Sequence, residues 1–321
     1  MQGSQGFMLK KLSIVIPIFN EADGLSTLFE RLDALLLRLN QRVQTEILLV
    51  DDHSTDGSFE IIRGLLRERS SYSCIRLSRN QGSHVAIIAG FKHAKGDAAV
   101  FLAGDLQDPP ELIFAMLDKW QEGNDVVWAV RDEHQREGIL SKVASRLFYL
   151  LLSRMTNLHI PKKGADYALL DRKVYLGLIE SAGSKPSLGA LISWLGFKQT
   201  EVLYIKEKRK FGKSKWTLSK KLSAFADAFV GFSYLPMRIM SFIGAFAAFA
   251  GFLYAIVIVA MRFMIDDPIE GWASIMVITL ILGGMQMLML GVLGEYIWRN
   301  LEESRKRPLY LVEEKIGGTE L

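Results

Sequence analysis

The sequence predicts an α/β fold, a mainly parallel sheet flanked by helices, followed by an interfacial helix and two transmembrane helices. Through the first 210 residues, short β-branched and leucine-rich runs of strand length alternate with amphipathic stretches. Such alternation is typical of parallel strands connected by helices. Two apolar stretches follow, 239–261 and 272–294, and neither contains Asp, Glu, Lys, Arg or His. At about 1.5 Å per residue, each can cross a hydrocarbon core of about 30 Å.

Apolar patterns in the N-terminal region predict four strands and the four helices that alternate with them. The predicted strands are Leu12–Ile18, Glu46–Val50, Ala98–Leu102 and Asp125–Val130. The predicted helices are Gly24–Leu39, Ser58–Glu68, Ser83–Lys95 and Pro110–Gln121. In sheets of this kind ligands bind outside the carboxyl ends of the strands, so the residues that follow each strand are the first candidates for a site.

Composition excludes several classes of protein. Half of the residues are hydrophobic, 23% are charged and the mean hydropathy is +0.18, which excludes an intrinsically disordered chain. Cys74 is the only cysteine, so an intrachain disulfide scaffold is excluded as well. The net charge of +4 suits an anionic ligand or an anionic membrane face, and it is too small to indicate nucleic acid.

Charge placement around the two apolar stretches predicts their orientation. Lysine and arginine precede the first stretch and follow the second, whereas the connector Asp266–Glu270 is acidic. The positive-inside rule therefore places the N-terminal region and both termini in the cytoplasm. The predicted organisation is a cytoplasmic α/β domain, an amphipathic juxtamembrane segment, two transmembrane helices and a cytoplasmic tail, at 1–210, 211–235, 236–264, 271–298 and 299–321.

Acidic and amide side chains follow three of the predicted strands. The segments are Pro17–Glu21, Asp51–Gly57 and Gly104–Glu111, and the next strand ends in Arg131. Carboxylate and amide oxygens are ligands of hard cations, so these segments predict a divalent metal ion that holds a diphosphate. No GxGxxG follows the first strand and no GxxxxGKS/T occurs, which excludes a dinucleotide-binding Rossmann turn and a P-loop. Asp56 has a second interpretation, as the cap of the next helix.

Several motifs occur in a characteristic order along the chain. They are IPIFNE, VDDHSTDG, RNQG, GDLQDPPE, ADYALLDRKV and KRKFGKSKW, followed by the two apolar stretches. This order resembles the GT-A-fold, family-two glycosyltransferases, and more narrowly the polyprenyl-phosphate glycosyltransferases. The resemblance implies an inverting transfer of one sugar, glucose from UDP-glucose, to undecaprenyl phosphate on the cytoplasmic face of the plasma (inner) membrane. The product would be a lipid-linked sugar donor for modification of cell-envelope glycans.

The resemblance also implies roles for individual residues. Five residues would form the donor pocket at the base and ribose, with Asp51 beside the other four: Pro17, Phe19, Glu21, Asp51 and Asp52. Asp105 and Gln107 would hold the metal, Mg²⁺ or Mn²⁺, together with the diphosphate.

Four further residues complete the implied site. Arg131 would contact the sugar or a phosphate, and Arg209 and Lys215 would close over the diphosphate. Asp166 would lie near the acceptor, although it has a second interpretation as a residue that orients the turn before an apolar strand. The chain departs from its relatives at Ala103, where they usually carry Asp, so metal ligation depends on Asp105, Gln107 and the diphosphate.

Two other functions remain open at this point. A processive polysaccharide synthase of the same broad fold carries a Gln-x-x-Arg-Trp motif, which this chain lacks. A non-catalytic membrane scaffold that binds a nucleotide sugar or a lipid is the second alternative. Glycines at 283, 284, 291 and 294 permit close helix packing, so a homo-oligomer contact and a plain membrane anchor are both open.

Overall fold

A computed structural model of the chain describes residues 10–105, 107–131, 165–183, 187–205, 235–264 and 271–317. Its strands are β1 Lys11–Ile18, β2 Gln44–Asp51, β3 Tyr72–Leu77, β4 Ala98–Phe101, β5 Val126–Arg131, β6 Ala165–Asp171, β7 Gln199–Tyr204 and β8 Val312–Gly317. Its helices are α1 Leu25–Leu39, α2 Ser58–Leu66, α3 Ser83–His93, α4 Ile113–Gln121, α5 Arg172–Ser181, α6 Leu188–Trp194, α7 Leu235–Met264 and α8 Trp272–Ser304.

The four predicted strands and four predicted helices of the N-terminal region are confirmed as β1, β2, β4 and β5 and as α1 to α4. The differences lie at the ends. Gly24 and Pro110, where two helices were predicted to begin, belong to short 3₁₀ turns that precede α1 and α4. Proline lacks an N–H and is tolerated in the first turn of a helix, which is why Pro110 opens this segment.

The described strands form one sheet in the order β7-β5-β6-β4-β1-β2-β3-β8. β1 is parallel to β2 and β4, β2 to β3, and β5 to β7, whereas β6 and β8 run antiparallel to their neighbours. Because β4 and β5 are both antiparallel to β6, they point the same way. The carboxyl ends of β1 to β5 and β7 therefore meet at one edge, called the carboxyl edge below, together with the starts of β6 and β8.

Packing of helices on this sheet forms the core. The β1 side chains Ile14, Val15 and Ile16, which alternate between the two faces of the sheet, are fully buried, as expected for a central strand covered on both faces. α3 packs on β1 and β2, and α4 packs on β5 and β6. Phe29 of α1 stacks on Tyr72 of β3 with ring centroids 5.2 Å apart. The packed helices therefore hold the strands, and with them the residues at the carboxyl edge, in fixed positions.

The chain divides into two compact units. The sheet unit comprises Met1–Ala224 and Pro308–Leu321, and the helical unit comprises Phe225–Arg307. In the helical unit, the part of α8 at Ile281–Ser304 is long and apolar enough to cross a membrane, and Met240–Tyr254 in α7 is a shorter apolar stretch. Both predicted spans coincide with long helices. That each helix crosses a membrane once stays a prediction. Residues 211–234 of the predicted juxtamembrane segment lie outside the described residues.

The predicted cytoplasmic tail, 299–321, has more structure than the sequence indicated. α8 continues through its first residues to Ser304, and Val312–Gly317 forms β8 on the outer side of β3. A segment that follows the apolar helices in the chain thus returns to the sheet unit. Its strand carries consecutive charged residues, a pattern typical of edge strands and easily taken for a loop.

Candidate active site

The loops after β1 and β2 are hydrogen-bonded to each other at the carboxyl edge. Asn20, which has a left-handed φ of 52°, donates its N–H to Ser54 Oγ (3.0 Å), and its Oδ1 accepts the N–H of Thr55 (2.7 Å). Glu21 donates its N–H to Ser58 Oγ (3.0 Å). Asparagine is among the few residues that adopt this φ without large cost. The two predicted donor-binding segments therefore form one rigid surface.

Gly104 brings the loop after β4 against the end of β1. A Cβ at this position would lie 2.7 Å from Ile18 Cδ1 and 3.2 Å from the carbonyl oxygen of Pro17, so a side chain here would displace Ile18 and press on the Pro17 carbonyl. Asp105 comes directly after this contact. The predicted metal ligand is thereby held next to the segment predicted to bind the base, and Pro17 itself is half-buried.

Phe19 and Glu21, the other donor contacts predicted after β1, are half-buried in the same surface. The cap interpretation of Asp56 holds in part: the N-cap of α2 is Gly57, which has no side-chain cap, and Asp56 Oδ1 accepts the N–H of Ser58, the first residue of the helix (3.0 Å). Its Oδ2 also accepts the N–H of Ala22 (3.0 Å), which is a further hydrogen bond between the two loops. Asp56 therefore shapes the surface that carries Phe19 and Glu21.

Asp51 and Asp52, adjacent carboxylates at the end of β2, have different hydrogen-bond donors. Asp51 is fully buried, and both of its carboxylate oxygens lie 3.3 Å from the N–H of Ser54, which donates to them. Asp52 is 2% exposed and accepts the N–H groups of Gln81 (2.7 Å) and Gly82 (2.8 Å) at the start of α3. Gly82 has a φ of 89°, a conformation in which a side chain is strained. The RNQG motif is thus tied to the end of β2.

Burial controls the acidity of both carboxyl groups. It raises the pKa of Asp51, against the opposing effects of the Ser54 hydrogen bond and the nearby Arg76 guanidinium. It also raises the pKa of Asp52, and the charge of Asp51 adds to this rise, while the N–H donors of Gln81 and Gly82 oppose it. Two buried like charges are stable only with such donors.

The predicted metal ligands lie at the end of β4. Asp105 is half-buried, and its Oδ1 accepts the N–H of Gln107 (3.1 Å). Among the described residues, no cluster of three or more His, Cys, Asp or Glu side chains can hold a metal ion. Asp108 is 4% exposed and its Oδ1 accepts the hydroxyl of Tyr204 (2.7 Å). One carboxylate and one amide fit a Mg²⁺ or Mn²⁺ ion whose remaining ligands come from a diphosphate.

Two tyrosines hold this loop, and the sequence reasoning missed both. Tyr204, at the end of β7, donates to Asp108, and Tyr167 of β6 donates its hydroxyl to the carbonyl oxygen of Pro109 (3.3 Å). The two rings meet edge to face with centroids 5.7 Å apart. Neither tyrosine is near the loop in sequence, so the interaction is visible only in the folded chain.

Asp166 lies at the start of β6, which reaches the carboxyl edge because β6 is antiparallel. The β5–β6 register passes from Ala129 opposite Tyr167 to Val130 opposite Ala165. Asp166 is the extra residue of this irregularity, which is a β-bulge. Bulges are frequent next to active sites, where they redirect a side chain. The structure therefore brings Asp166 to the predicted edge, and at a position with unusual backbone geometry.

The other predicted cations are divided between described and undescribed parts of the chain. Arg131 ends β5 at the carboxyl edge, opposite Tyr204 of β7 in the strand register. Arg209 and Lys215 lie outside the described residues, in a segment that begins two residues after Tyr204. Arg131 therefore lies at the same carboxyl edge as Asp52 and Asp105.

A mainly parallel sheet flanked by helices, with the carboxylates Asp51, Asp52 and Asp105 at or directly after strand ends on one edge, is the arrangement of a GT-A-type glycosyltransferase. Residues 13–177 match Glycosyl transferase family 2, and residues 235–299 match the GtrB C-terminal hairpin. The chain belongs to glycosyl transferase family 2.

Three relatives align with nearly the whole chain. The uncharacterized glycosyltransferase YkcC of Bacillus subtilis is 39% identical, over 95% of this chain and 94% of that protein. A bactoprenol glucosyl transferase of Shigella phage SfV is 31% identical, over 94% of this chain and 98% of that protein. The undecaprenyl-phosphate 4-deoxy-4-formamido-L-arabinose transferase of Yersinia enterocolitica is 32% identical, over 98% of this chain and 96% of that protein.

Proposed function

We propose that the protein transfers a single glucose from UDP-glucose to undecaprenyl phosphate at the cytoplasmic membrane face, with inversion at the anomeric carbon. One observation carries the proposal: relatives named for transfer to bactoprenol or undecaprenyl phosphate align over the helical hairpin as well as the sheet unit. A lipid acceptor keeps its chain in the bilayer, which gives the hairpin a purpose that a water-soluble acceptor would not require.

The donor nucleotide binds along the loops after β1 and β2. Phe19 and Pro17 supply half-buried apolar surface for the base, and Glu21 and Asp52 supply acceptors for its polar groups and for the ribose. Asp52 is already fixed by the N–H groups at the start of α3, so it needs no reorganisation when the donor enters. Asp51 lies beside it and supports the same loop.

The diphosphate lies at the end of β4. Asp105 and Gln107 would hold a divalent cation there, which would supply positive charge to the leaving diphosphate when bound. Arg209 and Lys215 add positive charge from the segment after β7. Positive charge already in place where negative charge develops on the leaving group lowers the activation barrier of transfer. Tyr204 and Tyr167 keep the loop in position through Asp108 and Pro109.

The acceptor approaches at the β5–β6 end of the carboxyl edge. Its phosphate monoester has a second pKa near 6 and is largely dianionic at neutral pH, so it needs no strong base. A phosphate oxygen forms the new bond to the anomeric carbon while the bond from that carbon to the diphosphate oxygen breaks. Asp166 orients the acceptor together with a cationic partner, Arg131 or Arg209, because a carboxylate alone would repel the phosphate.

The proposed reaction is tested by transfer of radiolabelled sugar into lipid that can be extracted with organic solvent. UDP-glucose should label undecaprenyl phosphate, and UDP-galactose, UDP-N-acetyl sugars and GDP-mannose should label it far less. Label in a polymer that solvent does not extract would favour a processive synthase. Donor binding without any transfer would favour the non-catalytic scaffold.

Asp166→Asn separates the acceptor role from a structural one. We expect turnover to fall strongly while binding of the nucleotide sugar changes little, because the residue is remote from the base and ribose. Parallel losses of melting temperature and donor binding would instead identify Asp166 as a residue that only shapes the bulge. Turnover within a few-fold of the native chain would remove it from the site.

We also propose that the helical hairpin crosses the membrane twice, with both termini in the cytoplasm. A single cysteine introduced in the connector Asp266–Glu270 should react with an impermeant reagent only from the outer side. Cys74 is fully buried, so the native background does not label while the sheet unit is folded. A connector that labels only from the cytoplasmic side would contradict the two-span topology.

A further inference from the structure

Arg76 braces the loop after β2 from the neighbouring strand. Its Nε lies 3.6 Å from Asp51 Oδ2, and a terminal nitrogen lies 3.5 Å from the carbonyl oxygen of Ser54, to which it donates. The guanidinium also lies over the ring of Phe59, 4.6 Å from its centroid. One side chain therefore contacts the start of the loop, its middle and the helix that follows it.

The C-terminal strand β8 provides a negatively charged partner for Arg76. Glu313 Oε2 lies 3.2 Å from Arg76 Nε and 3.4 Å from Nδ1 of His53, a loop residue with a φ of 60°. The register of β8 on β3 passes from Glu314 opposite Arg76 to Val312 opposite Leu77, which leaves Glu313 as an extra residue. This irregularity gives neighbouring glutamates different partners.

Glu314, the next residue, has a partner away from the loop. Its Oε2 lies 2.8 Å from a terminal nitrogen of Arg63 in α2. The two glutamates have the same charge, lie on the same strand and are similarly exposed, at 48% and 43% of the side chain. They differ in that only Glu313 contacts residues beside the buried carboxylates of the donor pocket.

We propose that Glu313 is a positioning residue of the donor pocket, which holds Arg76 across the nucleotide loop so that the C-terminal strand forms part of the site. The inference rests on the proposed function, because it takes the loop after β2 as the place where the nucleotide binds. Arg76 lies between the buried Asp51 and the exposed Glu313, and the second carboxylate fixes the side chain in the orientation that also contacts Ser54 and Phe59.

Two effects oppose each other when Glu313 loses its charge. Removal of a negative charge favours an anionic donor through space, and loss of the ion pair leaves the brace less ordered. The first effect is screened by salt over about 10 Å, and the same change at Glu314 reproduces it. The difference between the two variants therefore cancels the through-space effect, and the Arg76→Gln background separates the Arg76 contact from the Glu314–Arg63 ion pair.

The test compares Glu313→Gln with Glu314→Gln in the full-length, membrane-reconstituted protein. Glu313→Gln should raise the KM for UDP-glucose and the Kd for UDP by roughly three- to fivefold relative to Glu314→Gln, the size expected for a partly exposed ion pair. The kcat and the melting temperature should match those of the control. Glu313→Asp should recover part of the loss. In an Arg76→Gln background, Glu313→Gln should add no further rise in KM.

Three results would overturn the inference. Equal KM and Kd values for the two glutamine variants would show that the brace does not reach the donor. A lower melting temperature, together with a fall in kcat and a rise in KM of equal size, would assign Glu313 a structural role only. A native protein that neither binds UDP nor transfers sugar would refute the proposed function itself and this inference with it, and that outcome is recognised before any variant is measured.

Discussion

The sheet unit and the helical unit contain the same kinds of apolar side chain in opposite environments. Phe29 in α1 is 1% exposed, whereas Phe246 in α7 and Met287 in α8 are 75% and 72% exposed. Burial of apolar surface contributes about 25 cal/mol per Å², and Phe246 and Met287 obtain little of this gain within their own unit. The difference teaches that apolar composition predicts an apolar environment, while burial distinguishes a protein core from a surface that suits lipid.

Truncation of one phenylalanine in each unit sharpens this comparison most. Phe29→Ala should lower the stability of the sheet unit by about 3 to 5 kcal/mol, because it leaves a cavity in the core beside Tyr72. Phe246→Ala removes the same atoms from an exposed position and should leave the unfolding of the sheet unit unchanged. Thermal unfolding followed by near-UV circular dichroism measures both, and equal losses would contradict the contrast.

A charge placed in the apolar part of α8 tests the environment of the helical unit. Leu282→Arg should cost about 2.5 to 3.5 kcal/mol if the residue enters the bilayer, and should reduce the fraction that resists alkaline carbonate extraction. Glu303→Arg, near the end of α8, is the control and should stay in the membrane fraction. Unchanged extraction of the Leu282 variant would argue that this helix does not lie in lipid.

Asp105→Asn acts on the sheet unit without affecting either apolar environment. We expect transfer to fall about 100-fold, or about 2.7 kcal/mol of transition-state stabilisation, since the change removes the proposed anionic ligand of the metal. Chelation should abolish transfer, and Mg²⁺ or Mn²⁺ should restore it. Asp118→Asn, on the surface of α4, is the control. Full activity in excess chelator would refute the metal assignment.

The smallest expected effect concerns the acid stability of the sheet unit. Burial raises the pKa of Asp33, but hydrogen bonds from Arg69 and Tyr72 outweigh it and hold the pKa below 3.8. Stability from such a group is present above the unfolded pKa and is lost as pH falls through the folded value. Asp33→Asn should therefore lower the melting temperature at pH 7. Below pH 3.8 the melting temperatures of the variant and the native chain should converge.

Asp23→Asn, at an exposed position in the turn before α1, is the matched control for Asp33. It should leave the pH profile of the melting temperature unchanged. A difference between the Asp33 variant and the native chain that stays constant from pH 7 to pH 3 would show that the ion pair with Arg69 contributes nothing to stability in this range.

The sequence alone determined four of the strands and four of the helices of the sheet unit, together with the order of the motifs. Apolar runs and periodicities are local properties, so β1, β2, α1 and α2 could be predicted within a few residues. The strand-end carboxylates Asp52 and Asp105 were also identifiable, because in a parallel sheet the chain order alone places them on one edge. The two long apolar stretches followed from length and the absence of charge.

Only the tertiary structure decided how distant segments complete that edge. β8 joins β3 across most of the chain, and Arg63 and Glu314, which form one of its ion pairs, are 251 residues apart. No periodic pattern encodes such a pairing. In the edge strand Val312–Gly317, burial alternates along the strand, but three consecutive charged residues hide that alternation in the sequence. The bulges at Asp166 and Glu313 likewise arise from register, a property of two strands together. Local sequence determines what a segment forms, whereas its partner depends on the packing of the whole chain.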